Sequence, residues 1–523
     1  MDKIKILQLI PAILFILFCA AILILGLRGI PGNPNKDALN TSQWKPNEPT
    51  ESAPFELSPE RGRFALTYSL VEDKSFQFSV PLAKFTTPDV AYVNGGYVSL
   101  FNPGVSFLAI PGYVIGREFG LSQVGAFSTA ALFALLNIIF VRLIAIRLGS
   151  NPLAASIGAL VFAFASPAFA YAATLYQHHI STFLILLGIY ALIRWNNLWS
   201  VALIWFLIAF SVVVDNPNIF FMIPLGVFAL ARIIWIEKEK FKLKINFNIL
   251  GFLTLLAVIP PIVLFLWFNQ ASTGNPFQLP GTLQSVEAID EKGLPTQSEI
   301  SKLLNLQKTY HKEKTAVGFF KTRNLLNGFY IHFISPDRGI VWFTPVILLS
   351  ILGFAYLYKL NRSAANLILA TIGFNIILYS LWGDPWGGWA FGSRYLIPSY
   401  ALGGIGLSLA LTKFRKNYLF GIIFIVLVSY SVWVNVLGAI TSDTNPPQAQ
   451  VLSLEEVSGK EEKFTYERNF DLLKKNKSKS FIFQRYASQY LTAQEYHQMM
   501  TALVIAVTLS LMVSLFFLKN EQK

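Results

Sequence analysis

The sequence predicts an all-α membrane protein of about twelve transmembrane helices, with a long first extracytoplasmic loop that carries interfacial helices. Three observations lead there. Of 523 residues, 54% are hydrophobic and only 14% charged, whereas a soluble domain carries about 25% charged residues. The mean hydropathy is +0.51, so the chain lacks the polar surface to cover itself in water. Apolar runs of about 20 residues, the length of a bilayer-spanning helix, recur along the chain, and lysine and arginine gather in alternate turns between them.

The runs fall at 5–27, 121–147, 152–174, 180–196, 198–215, 219–236, 249–272, 339–360, 365–383, 394–412, 418–440 and 499–519. The first is too long for a signal-peptide core and lacks a small-x-small site before Arg28, so it reads as an uncleaved anchor. The run at 105–116 is too short to span and reads as an interfacial or re-entrant helix. With Lys3 and Lys5 placed inside, the inner turns carry Arg142, Arg147, Arg194, Arg232, Lys238, Lys240, Lys242, Lys244, Lys359, Arg362, Lys413, Arg415, Lys416, Lys519 and Lys523. That is the positive-inside pattern of a plasma or inner membrane protein with both termini cytoplasmic. It accounts for the net charge of +13 without invoking nucleic acid.

Three long segments then face outward: 28–120, 273–338 and 441–498. Loops that long are uncommon unless functional. Three regions are expected: a transmembrane catalytic module over 1–440, an extracytoplasmic segment over 441–498, and a last helix with a cytoplasmic tail over 499–523. The single cysteine, Cys19, lies in the first run, so no intrachain disulfide orders the outer loops. There is neither an internal repeat nor an inverted pair of broken spans, the pattern of many secondary transporters.

The outer segments hold the chemistry. SPERGRFA (58–65), NGGYVSLFNPGVSFLAIPGY (94–113), SPDRGIVWFTP (335–345), WGDPWGGWAFGSRYLIP (382–398) and, more weakly, YQHH (176–179) all lie on one side of the membrane. Each has a plainer reading. Ionisable residues at helix ends snorkel or cap. Trp382, Trp386 and Trp389 suit an aromatic belt, His178 and His179 a polar turn, Asp337 with Arg338 a local pair, and Gly387, Gly388 and Gly392 a tight turn. Together they supply a carboxylate at the membrane surface (Glu60), cations (Arg61, Arg63, Lys84, Arg338, Arg394) and aromatic platforms. Arginine grips phosphate bidentately, and a carboxylate deprotonates a hydroxyl. The inventory matches sugar transfer from a lipid-phosphate donor.

These motifs resemble those of the GT-C superfamily of integral membrane glycosyltransferases, in particular the bacterial and archaeal set related to protein O-mannosyltransferases and aminoarabinose transferases. The resemblance covers most of the chain. Glu60-Arg61-Gly62-Arg63-Phe64-Ala65 is similar to the family's Asp-Glu-x-Arg-Tyr-Ala motif. The 335–345 and 382–398 segments are similar to its Ser-Pro-x-Arg-Gly and Trp-Gly-Gly-Trp-x-x-Gly-x-Arg-Tyr-Leu-x-Pro motifs. The resemblance implies an inverting transferase that moves a sugar from a polyprenyl-phosphate donor to a hydroxyl acceptor on the outer face. Glu60 would be the general base, with Asp89 and Asp73 next in line. Arg338 and Arg394 would hold the leaving phosphate, supported by Arg63 and Lys84. Asp89, Tyr97, Asn102, His178, His179, Asp337, Trp386, Trp389 and Tyr395 would contact substrate. Departures stand out: Glu60 replaces Asp and moves the carboxylate by about 1 Å, Arg61 stands where an acid is usual, and Gln177, His178 and His179 stand where a second acid would be. The chain has no Asp-x-Asp motif, so neither a metal nor another cofactor is expected. The rival readings are a lipid or polysaccharide transporter or flippase and a non-catalytic membrane scaffold.

Overall fold

The computed structural model describes residues 3–43, 53–239, 242–296 and 320–518. Lys240, the 297–319 stretch of the second outer loop, and Lys519 and Lys523 lie outside the described residues. The chain is a helical multi-pass membrane protein. Among the described residues, six helices are long and apolar enough to cross a bilayer, five shorter apolar ones accompany them, and the strands form three two-stranded hairpins.

The helix Ile397–Phe414 is buried along nearly its whole length and forms the axis of the bundle. Its glycines explain the close packing. A Cβ on Gly404 would lie 2.7 Å from the Gly158 carbonyl oxygen, and one on Gly353 would lie 1.7 Å from that of Gly406. Without a hydrophobic force between helices in lipid, such small-residue contacts let backbones approach and gain dispersion energy. The outermost helices instead expose Leu14, Leu17, Leu253, Leu256, Ile422 and Val426. Apolar faces of that extent belong against acyl chains, not water.

Three expected spans are broken beside a proline. In the 339–360 run the break falls between Ile340–Phe343 and Pro345–Leu349, and the two others lie earlier in the chain. The 152–174 run divides into Pro152–Phe164 and Ala168–Ala172 around Pro167. The 219–236 run divides into Asn218–Phe221 and Ile223–Leu230, with Pro224 in the first turn of the second piece. Proline lacks the N–H that would continue the ladder. The 219–236 run then leaves the helix altogether: Ile234–Glu239 pairs with Lys242–Phe247 in a hairpin. Arg232, read as a mere inner-surface charge, donates to the carbonyls of Leu192 and Trp195. It thereby caps the C-terminal end of His178–Arg194, where a cation is favoured.

The expected interfacial run is a helix, Gly104–Glu118, laid against Ser122–Arg147. Cβ atoms built on Gly112 and Gly125 would come within 2.3 Å and 2.1 Å of each other's backbone. Preceding it, Val90–Val93 and Gly96–Ser99 pair across an Asn94-Gly95 turn in which both residues have positive φ, the geometry for which Asn-Gly is the preferred dipeptide. The first outer loop is thus built on a backbone contact with no room for a side chain. Gly125→Leu should destabilise the protein by about 1–3 kcal/mol, the range for overpacking, seen as a lower unfolding midpoint in detergent. Gly373→Leu is the control, since nothing lies within 4 Å of its Cβ position. Equal midpoints for the two variants would disprove the close-contact account.

Candidate active site

The helix Ser58–Tyr68 carries the first motif. Pro59 sits in its opening turn, where its missing N–H is no loss, and Glu60 is its first-turn acid, suited to the positive end of the helix dipole. Every residue from Glu60 to Tyr68 is buried. Hydroxyls fasten it to Gly104–Glu118: Ser106 Oγ donates to the Arg63 carbonyl at 3.0 Å, and Thr67 Oγ1 lies 3.1 Å from the Ser106 carbonyl. Gly62 is needed because a Cβ there would sit 2.9 Å from the Phe101 ring.

Glu60 is fully buried and nearly unsupported. Oε1 has only a long 3.5 Å contact from the Leu57 amide, and Oε2 has no hydrogen-bond partner. Beside it lies a dense ionic cluster. Arg28 Nη1 reaches Glu56 Oε2 at 2.9 Å and Asp443 Oδ1 at 2.8 Å, and Lys479 Nζ reaches Glu56 Oε1 at 3.2 Å. Glu56 also accepts from Ser442 Oγ, Thr444 Oγ1 and the Asp443 amide. Although burial opposes it, the Lys479 and Arg28 charges hold the Glu56 carboxyl well below its ordinary range. Burial raises Asp443 against the pull of Arg28. Burial also pushes Glu60 up to about 7, with Arg28 opposing and Glu56 reinforcing the rise.

Tyr176 is the centre of the second group. Its ring lies under the Arg394 guanidinium at 4.8 Å and the Arg63 guanidinium at 5.6 Å, and it stacks with His178 at 5.8 Å. Burial holds its phenol well above the usual range, Arg394 opposing and Glu60 adding, so the hydroxyl keeps its proton. Arg394 Nε and Nη1, Arg63 Nε, Tyr176 Oη and His178 Nε2 are all buried without hydrogen-bond partners, as is Glu60 Oε2. Buried polar groups are almost always paired. A concentration of unpaired donors around one ring, with one unpaired carboxylate in its field, marks a place prepared for a polar ligand. Arg63 Nη2 donates to Gln177 Oε1 at 2.7 Å, and Gln177 Nε2 donates to Asp215 Oδ2 at 2.9 Å. An acid therefore does stand behind the Gln177 position, supplied by the turn after Leu198–Val214.

The other expected contacts divide. Arg338 is fully buried, but its guanidinium donates to the carbonyls of Asp337, Trp386, Gly388 and Asn445. It buckles the 335–345 and 382–398 segments together, so its donors are engaged by backbone carbonyls. The positive φ of Gly387 and Gly388 turns two of those carbonyls toward it. Asp337 is likewise occupied, accepting from Ser335 Oγ and the Gln448 amide. His179 is locked between Asn137 and the Ala168 carbonyl. Tyr97 donates to the Gly293 carbonyl and ties the two outer loops. Trp389 donates to Gln450 and lies under Arg468. Trp386 enters through its carbonyl. Asp89 accepts from Ser58 Oγ at 2.5 Å. Lys84 is partly buried on Val80–Thr86, with no ion pair among the described residues. Tyr395 stacks flat on Tyr379 at 3.9 Å and lies 6.3 Å from His178. Asn102 donates to Asn216 Oδ1 at 2.7 Å in a cavity next to Arg63. Sequence reading missed Arg28, Glu56, Asp443, Lys479, Asp215 and the role of Tyr176. Only the last had a signal, its place in YQHH.

The raised Glu60 carboxyl has a thermodynamic consequence. The folded chain holds that proton more tightly than the unfolded chain, whose value is about 4.3. Stability therefore falls as pH rises from there through about 7. Glu60→Gln removes the effect. At pH 8 it should unfold above wild type, by roughly 4 kcal/mol at most, and most of the gap should close by pH 5. A gap that does not change with pH, in scanning fluorimetry of detergent-purified protein, would refute the buried-acid assignment.

No family model matches the chain, and no curated protein matches it. Similarity is found among solved structures. ArnT from Cupriavidus metallidurans bound to undecaprenyl phosphate is 13% identical with a TM-score of 0.48, the match covering 97% of this chain and 77% of that one. Its apo state gives 12% and 0.43, covering 97% and 76%. The archaeal oligosaccharyltransferase AglB from Archaeoglobus fulgidus, in complex with an inhibitory peptide and a dolichol-phosphate, gives 12% and 0.38, covering 98% of this chain and 56% of that one.

Proposed function

We propose that the chain is an inverting glycosyltransferase that moves a sugar from a polyprenyl-phosphate donor to a hydroxyl of a lipid, glycan or protein acceptor. The observation that carries the reading is the group of buried, unpaired polar atoms around Tyr176: Arg394 Nε and Nη1, Arg63 Nε and His178 Nε2, with Glu60 Oε2 in its field. Donors without acceptors suit an anion, and an unpaired carboxylate suits a hydroxyl proton. The motif resemblance supports the same chemistry. The site faces outward and both termini lie inside, on the lysine and arginine pattern.

In this reading Glu60 takes the acceptor's hydroxyl proton as its oxygen attacks the anomeric carbon. The bond from that carbon to the phosphate oxygen breaks, and polyprenyl phosphate leaves with the electron pair. Arg394, assisted by Arg63, neutralises the growing charge, the kind of preorganised electrostatic contribution that dominates many enzymes. Tyr176 packs its ring against both cations and offers its O–H. A base with a value near 7 is well matched to neutral pH.

Transfer from a short-chain polyprenyl-phosphate sugar, with matched and monodisperse protein, tests this. Glu60→Gln should lose about 10²–10⁴-fold, and kcat/KM of the wild type should rise with pH through about 7. Arg394→Lys should lose at least about tenfold in kcat and kcat/KM together, or about 1.4 kcal/mol, because an ammonium cannot reproduce the planar fork. Arg338→Lys should chiefly lower the unfolding midpoint. Wild-type transfer by well-folded Glu60→Gln would end the assignment of the base. Normal rates for Arg394→Lys would remove the phosphate site.

A further inference from the structure

A cavity of about 290 Å³ adjoins the Tyr176 cluster, and Arg63 is the wall they share. One side of its guanidinium faces the Tyr176 ring, and the group also lies 4.7 Å over Phe101, which lines the cavity. The other walls include Phe220, Phe320 and Trp382. The floor is polar and ordered in a particular sense. Gln177 turns its amide oxygen to Arg63 and its nitrogen to Asp215, so Asp215 keeps acceptor capacity for a further donor. Asn102 takes the oxygen of Asn216 and leaves that side chain's N–H₂ as a donor. Among the described lining residues only Arg63 and Asp215 are charged, and their formal charges cancel.

We propose that this cavity is the sugar subsite, and that it takes a single neutral, hydroxyl-bearing sugar ring. The inference rests on the transferase reading and deepens it. About 290 Å³ lies at the lower edge of small-molecule pockets, roughly 300–1,000 Å³, and fits one ring rather than an oligosaccharide. Aromatic walls receive the apolar faces of the ring. Vicinal hydroxyls each offer a donor and an acceptor, which the Asp215 carboxylate and the Asn216 amide complement. An amino sugar would meet Arg63, and Asp215 is already partly compensated by that cation. A uronic acid would meet Asp215. Both ionic classes are therefore disfavoured.

The test separates sugar recognition from lipid-phosphate recognition. Binding of short-chain polyprenyl phosphate, and of the same lipid phosphate bearing a neutral pyranose, an amino pyranose or a uronic acid, is measured on the full chain in nanodiscs, followed by transfer from each. Wild type should bind the neutral-sugar lipid at least tenfold more tightly than the sugar-free one, and more tightly than either ionic class. Asp215→Asn should abolish that tenfold increment and leave affinity for the sugar-free lipid phosphate unchanged. Asn216→Asp, which keeps the acceptor for Asn102 but replaces the ligand-facing donor, should do the same if Asp215→Asn fails to fold. An undiminished increment in both variants, or a preference for an ionic sugar, overturns the subsite. If the increment is present and lost as expected but no sugar is transferred, the transferase reading falls while the subsite stands.

Discussion

The Glu56 carboxylate is the contact on which the arrangement of the outer face depends. It joins three parts of the chain that share no sequence proximity: Arg28 at the end of the first helix, the Ser442–Thr444 turn after Tyr418–Ile440, and Lys479 near the last helix. Removing one partner of a buried ion pair costs about 3–5 kcal/mol, because the other charge is left desolvated. Here one acid satisfies two cations, two hydroxyls and an amide. Glu56 lies just before the N-cap of Ser58–Tyr68 and Glu60 in its first turn, so whatever fixes Glu56 also fixes the opening of that helix.

The same cluster sets the charge state of the site. Two cations, Arg28 and Lys479, face three buried acids, Glu56, Asp443 and Glu60. Glu56 takes the direct contacts and stays ionised, and Asp443 is driven upward by burial. Glu60 lacks a cation of its own and is left near neutrality. An acid poised there follows from a shortage of positive charge in a place that water does not reach, the same physics that raises buried carboxyls elsewhere.

The apolar runs and the one-sidedness of the polar motifs were legible in the sequence, because both rest on composition and short spacing. So was the pairing of importance between SPDRG and WGGW. The reason for it was not, since a sequence does not show that Arg338 is enclosed by the carbonyls of the other motif. The broken helices at Pro167 and Pro224 were read as continuous because hydropathy counts proline as tolerable in a span. Arg28 looked like the flank of a first helix, and Glu56 carries no local signal. Their partners lie 415 and 387 positions away, beyond any periodicity. Asp215 was hidden in the same way: its connection to Arg63 passes through Gln177, a side chain whose only local signal was being the wrong type for an acid.

The two arginines show how one residue type serves opposite ends. Arg338 has its donors taken by four carbonyls, which holds the turn at Gly387 and Gly388 in shape. Arg394 has Nε and Nη1 buried without a geometric hydrogen-bond partner, and its guanidinium lies over the rings of Tyr176 and Tyr395. Each unmet buried donor costs about 1–3 kcal/mol, and a fold tolerates several in one place only if the surroundings are rigid. Rigidity comes from the first kind of arginine and from the glycine-packed axis beneath it. The satisfied buckle and the unpaired guanidinium meet in one segment, 382–398, and in the proposed transferase reading the first would hold the loop in which the second meets an anion.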